Sequence, residues 1–302
     1  MKCEEYNCKV TSIVTDNAAN VTKMRRDLFE ELDRKDVITY GCSAHMLNLL
    51  AHDIEVPGIN GNIKKICKYF RNVHFASAKF RKAGDSALVL PQDLLWIKSK
   101  ETLALGIGEA TEIWLELLEA FETEQANGEF ACSVSYTNKV KERMEMALTP
   151  AHFLANLLDH RFRGNKLSQE QIETGMEYVE TYHPEALPII INYQAKCAPF
   201  KPYLFSEYLI KNDKVKPLAW WCSIKNINTT ALELAQQLHS AIASSANIER
   251  LFSSYGLVHS KLRNRLGNAK AAKLVSIFKE LNSISDDVTD QIDDYKSETE
   301  KV

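Results

Sequence analysis

No stretch of the chain is apolar for the roughly 20 residues that a bilayer-spanning helix needs, so membrane insertion is excluded. The opening residues, Met1-Lys2-Cys3-Glu4-Glu5-Tyr6, have no apolar core and are not a secretory signal. Cysteine shows no framework either. Seven residues, an odd number scattered singly, do not make a disulfide scaffold, and reduced thiols of the nucleus or cytosol fit the pattern. Excess charge of one sign is also missing. A net charge of −3 argues against a protein that coats nucleic acid over its whole surface. Internal repeats and low-complexity tracts are absent.

What is present is ordinary globular composition, 45% hydrophobic and 25% charged, in 302 residues. That length can bury a large core and form two structural units. Charge is distributed unevenly. From Arg250 to Lys273 the chain carries Arg250, Lys261, Arg263, Arg265, Lys270 and Lys273 and no acidic residue. From Asp286 onward it carries seven acids, ending with Glu300, against Lys296 and Lys301. Either run can be a solvated helix face or tail, and the basic one can instead contact nucleic acid.

Pattern divides the chain into a short front and a long body. Cys8 to Thr15 is rich in β-branched residues and reads as a buried strand with Asp16 at its C-terminal end. Ala18 to Leu32 has helical spacing at Val21, Met24, Leu28 and Leu32. Val37 to Tyr40 reads as a second strand that Gly41 breaks, and Ser43 to Ile54 as a helix. Strand, helix, strand, helix with short links is an α/β signature with parallel neighbouring strands. Beyond Pro57 the pattern turns helical: Ile63 to Phe80, Glu101 to Glu124, then segments from Tyr136 to Ala195 broken by Pro150, Arg163-Gly164-Asn165 and Pro184. Ser206 to Ile224 includes the Trp220-Trp221 pair. Thr230 to Ile242, Ala246 to Phe252 and Asn268 to Asn282 read as closing helices.

Three motifs carry a family resemblance. Ser244-Ser245-Ala246-Asn247-Ile248-Glu249-Arg250-Leu251-Phe252-Ser253, running into Gly256-Leu257-Val258-His259-Ser260-Lys261-Leu262-Arg263-Asn264-Arg265-Leu266, resembles the C-terminal dimerisation segment of hAT-superfamily transposases. Val14-Thr15-Asp16-Asn17-Ala18-Ala19-Asn20 resembles the same family's second catalytic aspartate, and Cys42-Ser43-Ala44-His45-Met46-Leu47-Asn48-Leu49 its Cys-x-x-His segment. The resemblance implies a ribonuclease-H-like catalytic fold, with Asp16 and Glu249 as counterparts of metal-binding carboxylates. Read from the residues alone, Asp16-Asn17 can simply cap the following helix, and Glu249 can be a surface glutamate beside Arg250.

The chain also departs from the family. The resemblance implies a first aspartate on an upstream strand, but only fifteen residues precede Asp16, and Glu4 and Glu5 are the acids among them. In Leu90-Pro91-Gln92-Asp93-Leu94-Leu95-Trp96, Leu95 stands where the family's Arg-Trp segment has arginine, while Trp96 is retained. The family's tryptophan lies near the DNA end, so Trp96 is either a base-stacking residue or a core aromatic. Transposition requires a carboxylate cluster holding two metal ions, and two carboxylates hold at best one ion loosely. The expectation is therefore a catalytically dead protein with vestigial ligands Asp16 and Glu249 and no cofactor; Mg²⁺ or Mn²⁺ would enter only if the active-site fragment were completed. Cys42 and His45 could supply two zinc ligands, but a structural site needs four, so no metal site is expected and both are assigned to packing.

The expected architecture is mainly α with a small α/β element: a truncated ribonuclease-H-like fold interrupted by a large helical insertion. Residues 1–56 form the α/β element, 57–228 the helical insertion, 229–283 the hAT C-terminal dimerisation region and 284–302 an acidic disordered tail. Self-association is expected through Leu251, Phe252, Leu257, Leu262 and Leu266. Weak DNA contact is expected through Lys261, Arg263, Arg265, Lys270, Lys273 and Trp96. The expected location is nuclear, or else cytoplasmic, and not secreted. Two alternatives stay open: a piece of a longer DNA-binding hAT transposase, preceded by the missing aspartate and a zinc finger, and a transcriptional or chromatin cofactor acting through protein partners.

Overall fold

The β-branched run Ile13-Val14-Thr15 suits an extended, half-buried backbone, and strand β1 forms there, over Ser12–Thr15. It opens the computed structural model of the protein, which describes residues 8–31, 37–54, 105–127, 133–210, 215–225 and 227–245, with Lys270, Lys273, Leu274 and Ile277. β1 is shorter than the pattern from Cys8 suggests, because its partner β2, Ile38–Gly41, pairs with only its last four residues. The two strands run parallel, in register from Ser12 opposite Ile38 to Thr15 opposite Gly41. A parallel pair needs a crossover, which helix α1, Ala19–Glu31, supplies. Gly41 ends β2 rather than breaking it. A Cβ there would fall on the Asn17 side-chain amide, whose Nδ2 donates to the Cys42 carbonyl at 3.2 Å. Helix α2, Ser43–Asp53, follows at once.

The other named elements among the described residues are helical. The long apolar face at Trp114, Leu117, Leu118 and Phe121 forms α3, Ile107–Asn127, with Trp114 fully buried. Helix α4, Ser133–Ala147, packs on α3 and on α2. Pro150 starts a helix rather than only breaking one. At the first position of α5, Pro150–Leu158, its missing N–H costs nothing, and the His152 Nδ1 accepts from the Thr149 N–H at 3.3 Å. Helix α6, Gln169–Tyr182, starts on a reciprocal cap: Ser168 accepts from the Gln171 N–H at 3.2 Å, and the Gln171 side chain accepts from the Ser168 N–H at 2.9 Å. The helices α7 (Leu187–Gln194), α8 (Glu207–Ile210), α9 (Pro217–Cys222) and α10 (Thr229–Ser240) complete the body.

Helix α5 is the hub. It packs against α3, α6 and α10, and is buried on nearly every side. Gly108 lets α3 come close: a Cβ there would meet the Ala155 carbonyl at 2.9 Å, and Asn156 Nδ2 donates to the Gly108 carbonyl at 3.1 Å. Beside α5 lie Tyr193, Phe200, Trp220 and Trp221, all buried and in mutual ring contact. Each indole keeps a partner, Trp220 Nε1 donating to the Leu204 carbonyl at 3.0 Å and Trp221 Nε1 to the Leu158 carbonyl at 2.9 Å. A buried aromatic removes about 150–250 Å² from water, worth about 4–6 kcal/mol, so this cluster is the main stabilising mass.

The segment after α10 joins body and front. Ile242 bridges Gly106, the Ile107 N–H donates to Ala241 at 3.1 Å and the Ala243 N–H to Leu105 at 2.8 Å. On its other side the Ser43 N–H donates to Ala243 at 2.9 Å, the Tyr40 hydroxyl to the Ile242 carbonyl at 2.9 Å, and Gln237 Nε2 to the Thr11 carbonyl at 2.9 Å.

Contacts divide the chain into two units, Met1–Ser244 and Ser245–Val302. Helix α10, where the expected dimerisation region begins, packs within the first. In the second, Lys270, Lys273, Leu274 and Ile277 are helical and exposed, and their spacing puts them on one helix face. The protein is thus mainly α with a small α/β element. Among the described residues no helix is long and apolar enough to cross a membrane.

Candidate functional site

Asp16 follows the last residue of β1, at the carboxyl end of the parallel pair, which is where α/β folds collect binding groups. Its side chain is exposed and closes a turn, with Oδ1 accepting from the Ala18 N–H at 3.2 Å just ahead of α1. The bond is the helix-entry role that the residues alone suggested. A cation already stands on this turn. Arg25, one helical turn and more into α1, donates from Nη1 to Thr15 Oγ1 and, at 2.9 Å, to the Asp16 carbonyl; Nη2 donates to Thr22 Oγ1 at 3.2 Å. Burial lowers the Arg25 guanidinium from its usual value, and the Asp16 charge opposes that shift. Neither Arg25 nor the Asn17 clamp on Cys42 was visible in the sequence, since a charged residue on an amphipathic helix reads as solvated surface.

The neighbouring strand end is drier. Cys42 is buried, its N–H donates to the Thr15 carbonyl at 2.6 Å, and its Sγ lies 3.8 Å from Ser244 Oγ. His45 is half-buried in the first turn of α2. Ser244, which ends the first unit, is thereby held beside the strand ends, five residues before Glu249 in sequence.

A divalent ion needs a converging set of oxygen ligands. Among the described residues no group of three His, Cys, Asp or Glu side chains is placed to hold one. At the strand end, Asp16 Oδ1 is engaged by the helix entry and Arg25 supplies positive charge. The described residues therefore do not fit a Mg²⁺ or Mn²⁺ site. Glu249, Trp96, Leu251, Phe252, Leu257, Lys261, Leu262, Arg263, Arg265 and Leu266 lie outside the described residues. Lys270 and Lys273 are exposed on their helix face.

A buried polar cluster beneath the aromatic core also escaped the sequence reading. Asp159, at the end of α5, takes the Arg161 guanidinium through both oxygens at 3.0 and 2.7 Å, and Arg161 Nη2 reaches Glu109 Oε1 at 2.7 Å. Burial opposes the Arg161 charge, but the two carboxylates outweigh it and hold the guanidinium above its usual value. His160 stacks on Trp220 with ring centroids 5.3 Å apart, its Nδ1 3.8 Å from Asp159 Oδ1. Burial pushes His160 and His239 down to about 4 and His152 down to about 3, so all three are neutral inside the fold. The signal was local: Asp-His-Arg directly after an apolar run is a charge cluster where a helix end must be buried.

The geometry defines a helical protein with a parallel α/β element whose strand ends carry an aspartate and a Cys-x-x-His segment. The family model of the hAT family C-terminal dimerisation region matches residues 198–281. The chain therefore carries that region and is related to the hAT transposases. The matched span starts in the aromatic core, before Phe200, and contains Glu249, the five apolar residues expected at an interface and the five basic residues from Lys261 to Lys273. No curated protein matches the chain.

Proposed function

We propose that this hAT transposase-derived protein associates with itself through its C-terminal region and no longer carries out strand transfer. The dimerisation-region match carries the first part, and Leu251, Phe252, Leu257, Leu262 and Leu266 are its apolar contacts. The state of Asp16 supports the second: an exposed carboxylate tied into a helix entry, with a guanidinium on the same turn, is a poor start for a two-metal cluster. In this reading Asp16 and Glu249 are vestigial ligands, β1 and β2 are the remnant of a ribonuclease-H-like sheet, and Trp96 is a retained family aromatic. Lys261, Arg263, Arg265, Lys270 and Lys273 add weak, sequence-independent contact with duplex DNA in the nucleus.

Two measurements test it. Supercoiled plasmid incubated with the full chain and Mn²⁺ stays intact; nicking that Asp16→Ala abolishes would overturn the inactive reading. Light scattering on the chain carrying Phe252→Asp and Leu262→Asp gives a smaller species that is still folded, because an unpaired ion at an interface costs several kcal/mol. A wild-type chain that is already monomeric at micromolar concentration removes self-association.

A further inference from the structure

We propose that residues 196–208 and Arg163 form a face on the first unit that binds single-stranded nucleic acid by stacking bases on Tyr203 and Tyr208. Among the described residues these two are the exposed aromatic side chains, 66% and 76% accessible. The same segment and its neighbour turn Tyr193 and Phe200 into the core and half-bury Phe205. The inward aromatics account for the fold; the outward pair does not.

Both tyrosines stand on short, hydrogen-bonded supports. Tyr203 sits in the 3-10 turn Pro202–Phe205, where the Leu204 N–H donates to the Lys201 carbonyl at 3.0 Å and the Ser206 N–H to the Tyr203 carbonyl at 3.2 Å. Tyr208 is in α8, whose Ile210 N–H donates to the Ser206 carbonyl at 3.1 Å. The Trp220 indole, bonded to the Leu204 carbonyl, ties the turn to the core.

Cations lie on the same segment and against Phe205, which stands between the two tyrosines in sequence. Lys201 is exposed at the start of the turn, Lys196 Nζ lies 5.6 Å from the Phe205 ring centroid, and Arg163 Cζ lies 4.7 Å from the same centroid. Glu207 is the one acid between 196 and 208. Three positive groups against one negative contrast with a chain whose net charge is −3. The backbone gives an independent sign. Among the described residues two that are not glycine adopt left-handed φ, Arg163 at 52° and Lys196 at 55°, and both are cations of this face. Such residues cost about 1–2 kcal/mol each and gather where a surface has a task.

Exposed aromatics among lysines and arginines on a rigid support suit a single strand, whose unpaired bases offer stacking faces and whose phosphates meet the cations. A duplex keeps its bases stacked on one another, and a second copy on this face would set its three cations against the same three across a two-fold axis. This proposal does not rest on the duplex contact proposed at Lys261 to Lys273, and each can fail without the other.

Fluorescence anisotropy of the full chain with labelled oligothymidine and oligouridine at about 50 mM salt tests it. Tyr203→Ala with Tyr208→Ala weakens binding by roughly 30-fold or more, while the two Phe substitutions keep it within about twofold. Lys196→Gln with Lys201→Gln flattens the log–log salt dependence by about 1.4. Binding of either oligomer supports the site, and the tighter one names its source as DNA or RNA. Equal affinity of the double-Ala chain overturns it, given an unchanged melting curve. So does a double-Ala chain that becomes a smaller species in light scattering with oligonucleotide affinity intact, which would assign the face to a second copy.

Discussion

The strand end at Asp16 and the aromatic core around α5 are parts of one unit built to opposite standards. At the strand end every residue of β1 is only half-buried, Asp16 is exposed, and Met24, on the expected apolar face of α1, is 43% accessible. Around α5, Leu154 to His160 are buried without interruption, and four large aromatics interlock beside them. The helices around α5 therefore hold the tightest packing, and of the α/β element it is β2 and α2, through Ile38, Tyr40, Met46 and Leu50, that reach the core.

Urea unfolding of single variants separates the two regions most strongly. Trp221→Ala removes a whole buried indole from the core together with its bond to the Leu158 carbonyl, so it lowers stability by about 3–5 kcal/mol. A loss below about 1 kcal/mol would show that the aromatic cluster is not the stabilising mass.

Acid gives the next effect. His160 and His239 titrate near 6.5 when unfolded and near 4 in the fold, so between those values the unfolded chain binds more protons. Stability then falls as pH drops from 6.5 towards 4, by up to about 1.4 kcal/mol per pH unit for each histidine. Unfolding midpoints at pH 7, 6 and 5 measure the slope, and His160→Gln makes it shallower; a midpoint that stays flat to pH 5 contradicts buried neutral imidazoles.

Asp16→Ala is the smallest change. It removes one exposed turn bond at the entry to α1, for a cost of about 0.5–1 kcal/mol by the same urea titration. A cost above about 2 kcal/mol would mean that the strand end belongs to the core.

The same contrast explains what the sequence disclosed. β1, β2 and the helices α1 to α3 were readable from period and β-branching, because local pattern sets them. The Trp220-Trp221 pair was noted in the sequence, but its place in the core was not read from it. Pro150 was read as a break, yet the chain uses it as a helix start, a distinction made by the preceding Thr149 and the following His152. The extent of β1 was misjudged because a strand's length is fixed by its partner. Arg161 reaching Glu109 depends on a pair that folding brings together from distant parts of the chain, whereas Arg25 lies close to Asp16 in sequence but reads there as solvated helix surface. Asp16 and Cys42 were found by motif, and the helix-entry bond of Asp16 by its residue type; the bonds of Cys42 were not.

The tie between Ser43 and Ala243 has a consequence in time. Its two residues are 200 positions apart in sequence, as 243 − 43, and the bonds from Gln237 to Thr11 and from Tyr40 to Ile242 span similar distances. Such distant closures are slow and come last. During synthesis at about 5–20 residues per second, the first two strands emerge about 10–40 seconds before the segment that fastens them. For that interval the pair stands without the hydrogen bonds that hold it to the body. The last stretch of the first unit to leave the ribosome is thus the one that closes its first.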